Sequence, residues 1–134
     1  AVGYEIIRFN KEQSTITFEC WKRDGDPQNP DEGIYKGWPR TISMTENYGR
    51  TPRLWLPRFE VTGLEQRPVF QVIHEPTGEV VYSLRAPENT FQPGVFERGS
   101  YTVTVGNPDE SLMETYSGIE ARWSKPERGI EVSF

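Results

Sequence analysis

Apolar positions recur every second residue along most of this chain, in short runs separated by Gly, Pro and polar clusters. That is the signature of half-buried antiparallel strands. "YEIIRF" (4–9) and "STITFECW" (14–21) flank the polar turn "NKEQ" and predict a first hairpin. In its second strand Ile16, Phe18 and Cys20 share one face by the two-residue period, which makes Cys20 a small core residue. Residues 23–37 have neither period, and Pro27, Pro30 and three glycines break them into a long loop. "RTISM" (40–44) resumes extended structure, and "TENYGRTPR" is irregular again.

In "LWLPRFEVTGL", Phe59 and Val61 alternate with Arg58, Glu60 and Thr62. Pro57 suits only a strand edge or start. "PVFQVIHEPTGEVVYSLRA" is the clearest hairpin, because Pro76 and Gly78 supply the backbone angles that its turn requires. Val80, Tyr82 and Leu84 are expected on one face. A strand near 90–96 and another at 100–105 follow; in the latter Tyr101, Val103 and Val105 oppose Thr102 and Thr104. "GIEARWS" and "GIEVSF" form a possible last pair. "DESLMETY" is the only helical candidate. Seven to nine short strands, adjacent in sequence, predict an all-β fold: an antiparallel β-sandwich, Ig-like or fibronectin-like, with long irregular loops. The paired cysteines of antibody-type domains are absent.

The chain has 134 residues, enough for one domain with a real core. Its 11 prolines and 12 glycines fit many turns. No run approaches a membrane helix, so no membrane span is expected. The formal charge of −5 argues against a nucleic-acid partner, which needs clustered Lys and Arg. The exception lies between Lys36 and Arg58, where five basic residues meet a single acid, Glu46. The bland account of that stretch is a solvated basic face.

Candidate chemistry is sparse. One cysteine and one histidine, Cys20 and His74, cannot build a structural zinc site. His74 would have to be the base of any Ser–His–Asp triad, yet it alternates with Phe70 and Val72 beside a turn. G-x-S-x-G, P-loop and G-x-G-x-x-G motifs do not occur. No metal, cofactor or catalytic residue is therefore assigned. Asp24, Asp26, Asp31 and Glu32 could gather around Ca²⁺ or act as a glycosidase pair, although Pro27 interrupts the EF-hand pattern. A solvated loop accounts for them more simply. Trp21, Trp38 and Trp55, with Tyr35 and Tyr48, sit in or beside irregular segments, where exposed aromatics stack on sugars and buried ones close the ends of a sandwich.

"GYEIIRFNKEQSTITFECWKR", "YKGWPRTISMTENYGR", "LWLPRFEVTG", "PVFQVIHEPTGEVVYSLRA" and "FERGSYTVTVG", in that order over residues 3–106, resemble the C-terminal region of PhoD-like alkaline phosphatases and related exported metallophosphoesterases. The resemblance implies a parent with a two-metal catalytic domain ahead of this segment and a periplasmic or extracellular location. It implies that the segment itself is non-catalytic. Residues 1–23 would then be the closing hairpin of the catalytic domain. Residues 24–39 would be a linker loop, its far end docked by Tyr35 and Trp38, and 40–134 an accessory sandwich. The start of the chain lacks signal-peptide features, so an export signal would precede it.

The leading expectation is an accessory binding or docking module. Its partner would be the upstream catalytic domain of the same chain, or a cell-surface or glycan ligand. The alternative is a free-standing carbohydrate- or Ca²⁺-binding module of a secreted protein, and a carboxylate-pair enzyme acting on a glycan comes third. Arg53, Trp55, Trp38 and Tyr48 are the predicted docking residues, because charge and aromatics coincide there.

Overall fold

The computed structural model describes residues 2–46 and 48–134. The chain divides into two compact units, 1–49 and 50–134.

The N-terminal unit is a three-stranded antiparallel meander. β1 (Gly3–Asn10) pairs with β2 (Thr15–Lys22), and β2 pairs with β3 (Arg40–Ser43). Residues 40–43 were expected to open the sandwich. They extend the first hairpin instead, because Thr15–Phe18 offers them a free edge in register. The loop between β2 and β3 does more than bridge. A single helical turn, Pro30–Gly33, brings the chain back to β2, where Trp21 and Ile34 form an isolated bridge. The Tyr35 amide donates to the Cys20 carbonyl at 2.8 Å, and the Tyr35 hydroxyl donates to the Val2 carbonyl at 3.1 Å. Trp21 is buried beneath this return. Gly33 is required there, since a Cβ would lie 2.6 Å from the indole.

The C-terminal unit contains the main core. A four-stranded antiparallel sheet has the order β11 (Leu112–Glu120), β10 (Ser100–Asn107), β6 (Val69–His74), β7 (Glu79–Arg85). A three-stranded sheet has the order β12 (Ile130–Ser133), β5 (Phe59–Thr62), β8 (Thr90–Phe91), and a small one pairs β4 (Leu54–Trp55) with β9 (Gly94–Val95). The β5–β12 pair is parallel, and the other pairs are antiparallel. The layers meet through aromatic rings. Phe59 of β5 lies edge-on to Phe70 of β6 and to Tyr116 of β11, each at 5.6 Å, and Phe70 meets Phe91 of β8 at 4.9 Å. Leu56, Phe59, Phe70, Val72, Val95, Val103, Val105 and Val132 are fully buried. At about 1.5–3 kcal/mol for each large side chain, they are the principal stabilising term. The architecture is an all-β sandwich, as the alternation predicts.

Three local expectations change. Residues 112–120 form the edge strand β11 rather than a helix. Pro108 and the left-handed Ser111 close the preceding turn, and β10 supplies a ladder from Ser100↔Glu120 to Asn107↔Leu112. The strand near 90–96 splits into β8 and β9, which serve different sheets. Val80 leaves the face of Tyr82 and Leu84: the register shifts between Val72↔Tyr82 and Ile73↔Val80, and Val80 is 50 % exposed while the other two are buried. One inserted residue reverses which side faces the core.

Candidate binding surfaces

The acidic loop is solvent-facing. Asp24, Asp26, Asp31 and Glu32 are exposed, and an open cleft of 490 Å³ includes Lys22, Arg23, Asp24, Asp26 and Glu32 in its walls. Asp26 Oδ1 is used locally, accepting from the Gln28 amide at 2.9 Å. Among the described residues, no three His, Cys, Asp or Glu side chains gather closely enough to hold a metal ion.

His74 is a buried fastening point. Its Nε2 lies 2.9 Å from the Arg98 carbonyl, which can only accept, so Nε2 carries the proton. Nδ1 lies 2.8 Å from the Thr77 hydroxyl. The ring packs on Tyr101, whose hydroxyl donates to the Glu97 carbonyl at 2.7 Å. Both nitrogens are thus occupied in tying the β6–β7 turn to the segment before β10.

The N-terminal sheet has two unlike faces. On one, Tyr4 stacks parallel to Trp21 at 6.2 Å. Glu19 on the same face accepts from Arg8 at 2.7 Å and from the Trp21 indole at 2.9 Å. The Arg8 hydrogen bond, then that of Trp21, holds the Glu19 carboxyl below its usual range. On the other face the register aligns Ile7 with Phe18, and Phe9 with Ile16 and Ile42. This apolar face is open: Ile7 is 47 % and Phe9 74 % exposed. Cys20 ends the same row opposite Glu5. It is only half-buried, which corrects the expectation of a core cysteine: alternation put it on the apolar face, but that face is not covered. Partial burial, then the Glu5 carboxylate 3.7 Å away, pushes its thiol pKa up.

The four predicted docking residues fall in both units. Trp38 is exposed, with the Arg40 guanidinium 5.7 Å from its ring. Tyr48 is half-buried, and burial raises its phenol pKa. Arg53 and Trp55 belong to the C-terminal unit, where Leu54 and Leu56 turn into the core and leave Trp55 half-buried on the outer side. Sequence reasoning missed what surrounds Trp55. Arg122 exchanges both backbone hydrogen bonds with it, at 2.8 and 3.0 Å, and Lys125 Nζ sits 4.4 Å from its ring. Next to Arg122, Trp123 is 62 % exposed, with the Arg98 guanidinium 5.1 Å from its ring. The signal was present in "ARWSKPER", a basic and aromatic run without strand alternation.

No family model, curated protein or solved structure matches this chain. Among the described residues, no helix is long and apolar enough to cross a membrane.

Proposed function

We propose that the chain is a non-catalytic accessory module that docks through the open apolar face of its N-terminal sheet. The observation that carries this reading is the exposure of Ile7 and Phe9 in register with Phe18 and Ile16. A sheet made for solvent on both sides alternates polar residues there. An exposed contiguous apolar patch marks an interaction surface. The quoted motifs resemble the tail of PhoD-like exported metallophosphoesterases, so the proposed partner is a preceding two-metal catalytic domain of that kind. The metal-activated water and the phosphoryl-group stabilisation would reside in that domain. The proposed location is correspondingly periplasmic or extracellular.

The test mixes this 134-residue chain with a separately produced PhoD-like catalytic domain lacking its tail, and measures association by calorimetry. Association weakened at least about tenfold by Phe9→Asp, with protection of β1 amides in the complex, is expected. Failure to associate, or binding indifferent to Phe9→Asp, would overturn the reading. The alternative of a free-standing carbohydrate-binding module draws its support from a different observation, the tryptophan–cation surface of the C-terminal unit.

A further inference from the structure

The segment after β11 joins two indole–cation pairs of the C-terminal unit: Arg98 with Trp123, and Lys125 with Trp55. Ala121 and Arg122 are successive residues, and each is tied to a different element. The Ala121 amide donates to the Gly99 carbonyl at 3.1 Å, while Arg122 and Trp55 pair in both directions. Trp123 therefore emerges at a fixed position, between the strand end that carries Arg98 and the strand that carries Trp55. Arg98 is held in turn, because its carbonyl accepts from His74. The Trp55 ring lies close over Gly94, where a Cβ would be 3.1 Å from it. The surface is preorganised by backbone hydrogen bonds rather than by flexible side chains.

Its charge is uncompensated. Among the described residues, Arg98, Arg122 and Lys125 have no carboxylate within salt-bridge distance, although the chain as a whole is acidic. Cations poised over indole faces stay available to an anion while the rings keep them in place. The exposed Leu112 and Met113 lie at the opposite end of the β10–β11 ladder, roughly 23 Å away at the usual rise per residue. A protein interface needs an apolar core inside a polar rim. An exposed indole with a guanidinium 5.1 Å from its ring suits a ligand with a flat C–H face and an acidic group of its own.

We propose that Trp123, Arg98, Arg122, Trp55 and Lys125 form a binding site for an acidic oligosaccharide of the uronate class. The Trp123 ring stacks on a pyranose face, and the guanidinium and ammonium groups bind the carboxylates. Single-stranded nucleic acid also combines stacking with anionic charge. The net charge of −5 disfavours it, because a long phosphate backbone meets the acidic remainder of the surface. The site shares the binding-module reading of the chain, but it lies wholly in the C-terminal unit. Sugar binding and the N-terminal association can therefore fail separately.

The experiment is affinity electrophoresis and calorimetry of the full chain with three probes: polygalacturonate, neutral dextran and an oligothymidylate. Retention by polygalacturonate, weakened by added salt and absent with dextran, is expected. Trp123→Ala and Arg98→Gln should each lower the affinity about tenfold or more while the melting temperature stays unchanged. Trp123 is exposed, so its truncation leaves the core intact, and Arg122→Gln serves as a second variant that keeps the backbone pair with Trp55. No retention by polygalacturonate, equal retention by dextran, tighter binding of the oligothymidylate, or full affinity in Trp123→Ala would each overturn the assignment. Loss of the Phe9-dependent association with sugar binding intact would count against the docking proposal alone.

Discussion

Glu75 reaches from the end of β6 across β10 to the far edge strand, where its Oε1 accepts the Gly118 amide at 2.7 Å. The same oxygen accepts the Thr102 hydroxyl at 2.8 Å. Gly118 has φ +68° and lies where the β10–β11 register shifts, so one carboxylate fastens an irregular point of the sheet. Hydrogen bonding to the Gly118 amide, then to Ser100 and Thr102, lowers the Glu75 pKa. Because the folded-state value is depressed, this stabilisation is present above the unfolded carboxylate pKa. It is lost as pH falls through the folded one. Glu75→Gln should therefore lower the melting temperature at pH 7, with an effect that shrinks as the pH is lowered below the carboxylate range. An effect that does not change with pH would contradict the role.

Gly118→Ala tests the same point from the backbone. Nothing lies within 4 Å of a Cβ there, so the cost comes from the positive φ alone. Roughly 1 kcal/mol of destabilisation is expected in a denaturant titration. A neutral substitution would show that the bulge relaxes.

Leu56 and Trp55 are neighbours on opposite sides of one short segment. Leu56 is fully buried and Trp55 half-buried beneath Lys125. Leu56→Ala should cost about 2–5 kcal/mol, and Trp55→Ala clearly less despite the larger side chain lost. The reverse order in urea melts would place Trp55 in the core and remove it from the binding surface.

Cys20 and Glu5 predict a rate. The Glu5 carboxylate helps hold the half-exposed Cys20 thiol in its protonated form. Replacing Glu5 with Gln should raise the thiolate fraction and speed alkylation at pH 8 by a small neutral reagent. Unchanged or slower labelling of Glu5→Gln would show that the contact does not control the thiol.

Phe59 joins the layers of the C-terminal unit, edge-on to both Phe70 and Tyr116. Phe59→Ala should cost about 3–5 kcal/mol. Phe59→Leu keeps much of the volume and should recover most of that loss. If the two variants melt alike, the ring geometry rather than burial carries the stability.

Alternation alone determined the strands that face one core and one solvent layer. Tyr101, Val103 and Val105 point inward and Phe59 and Val61 do likewise, because a strand buried on one side writes its period into the sequence. The β6–β7 hairpin was legible for the same reason, helped by its Pro and Gly turn.

Pairing choices were not legible, since backbone hydrogen bonds carry no side-chain signature. Only the tertiary structure joined β3 to β2, laid β12 parallel to β5 and drew residues 112–120 into an edge strand. A bulge of one residue turned Val80 outward. Alternation placed Cys20 on an apolar face, but whether another layer covers that face is a property of the whole assembly. The tryptophan–cation surface depended on the same kind of information. Arg98, Trp55 and Trp123 are far apart in sequence, and the backbone bonds of Ala121 to Gly99 and of Arg122 to Trp55 bring their segments together.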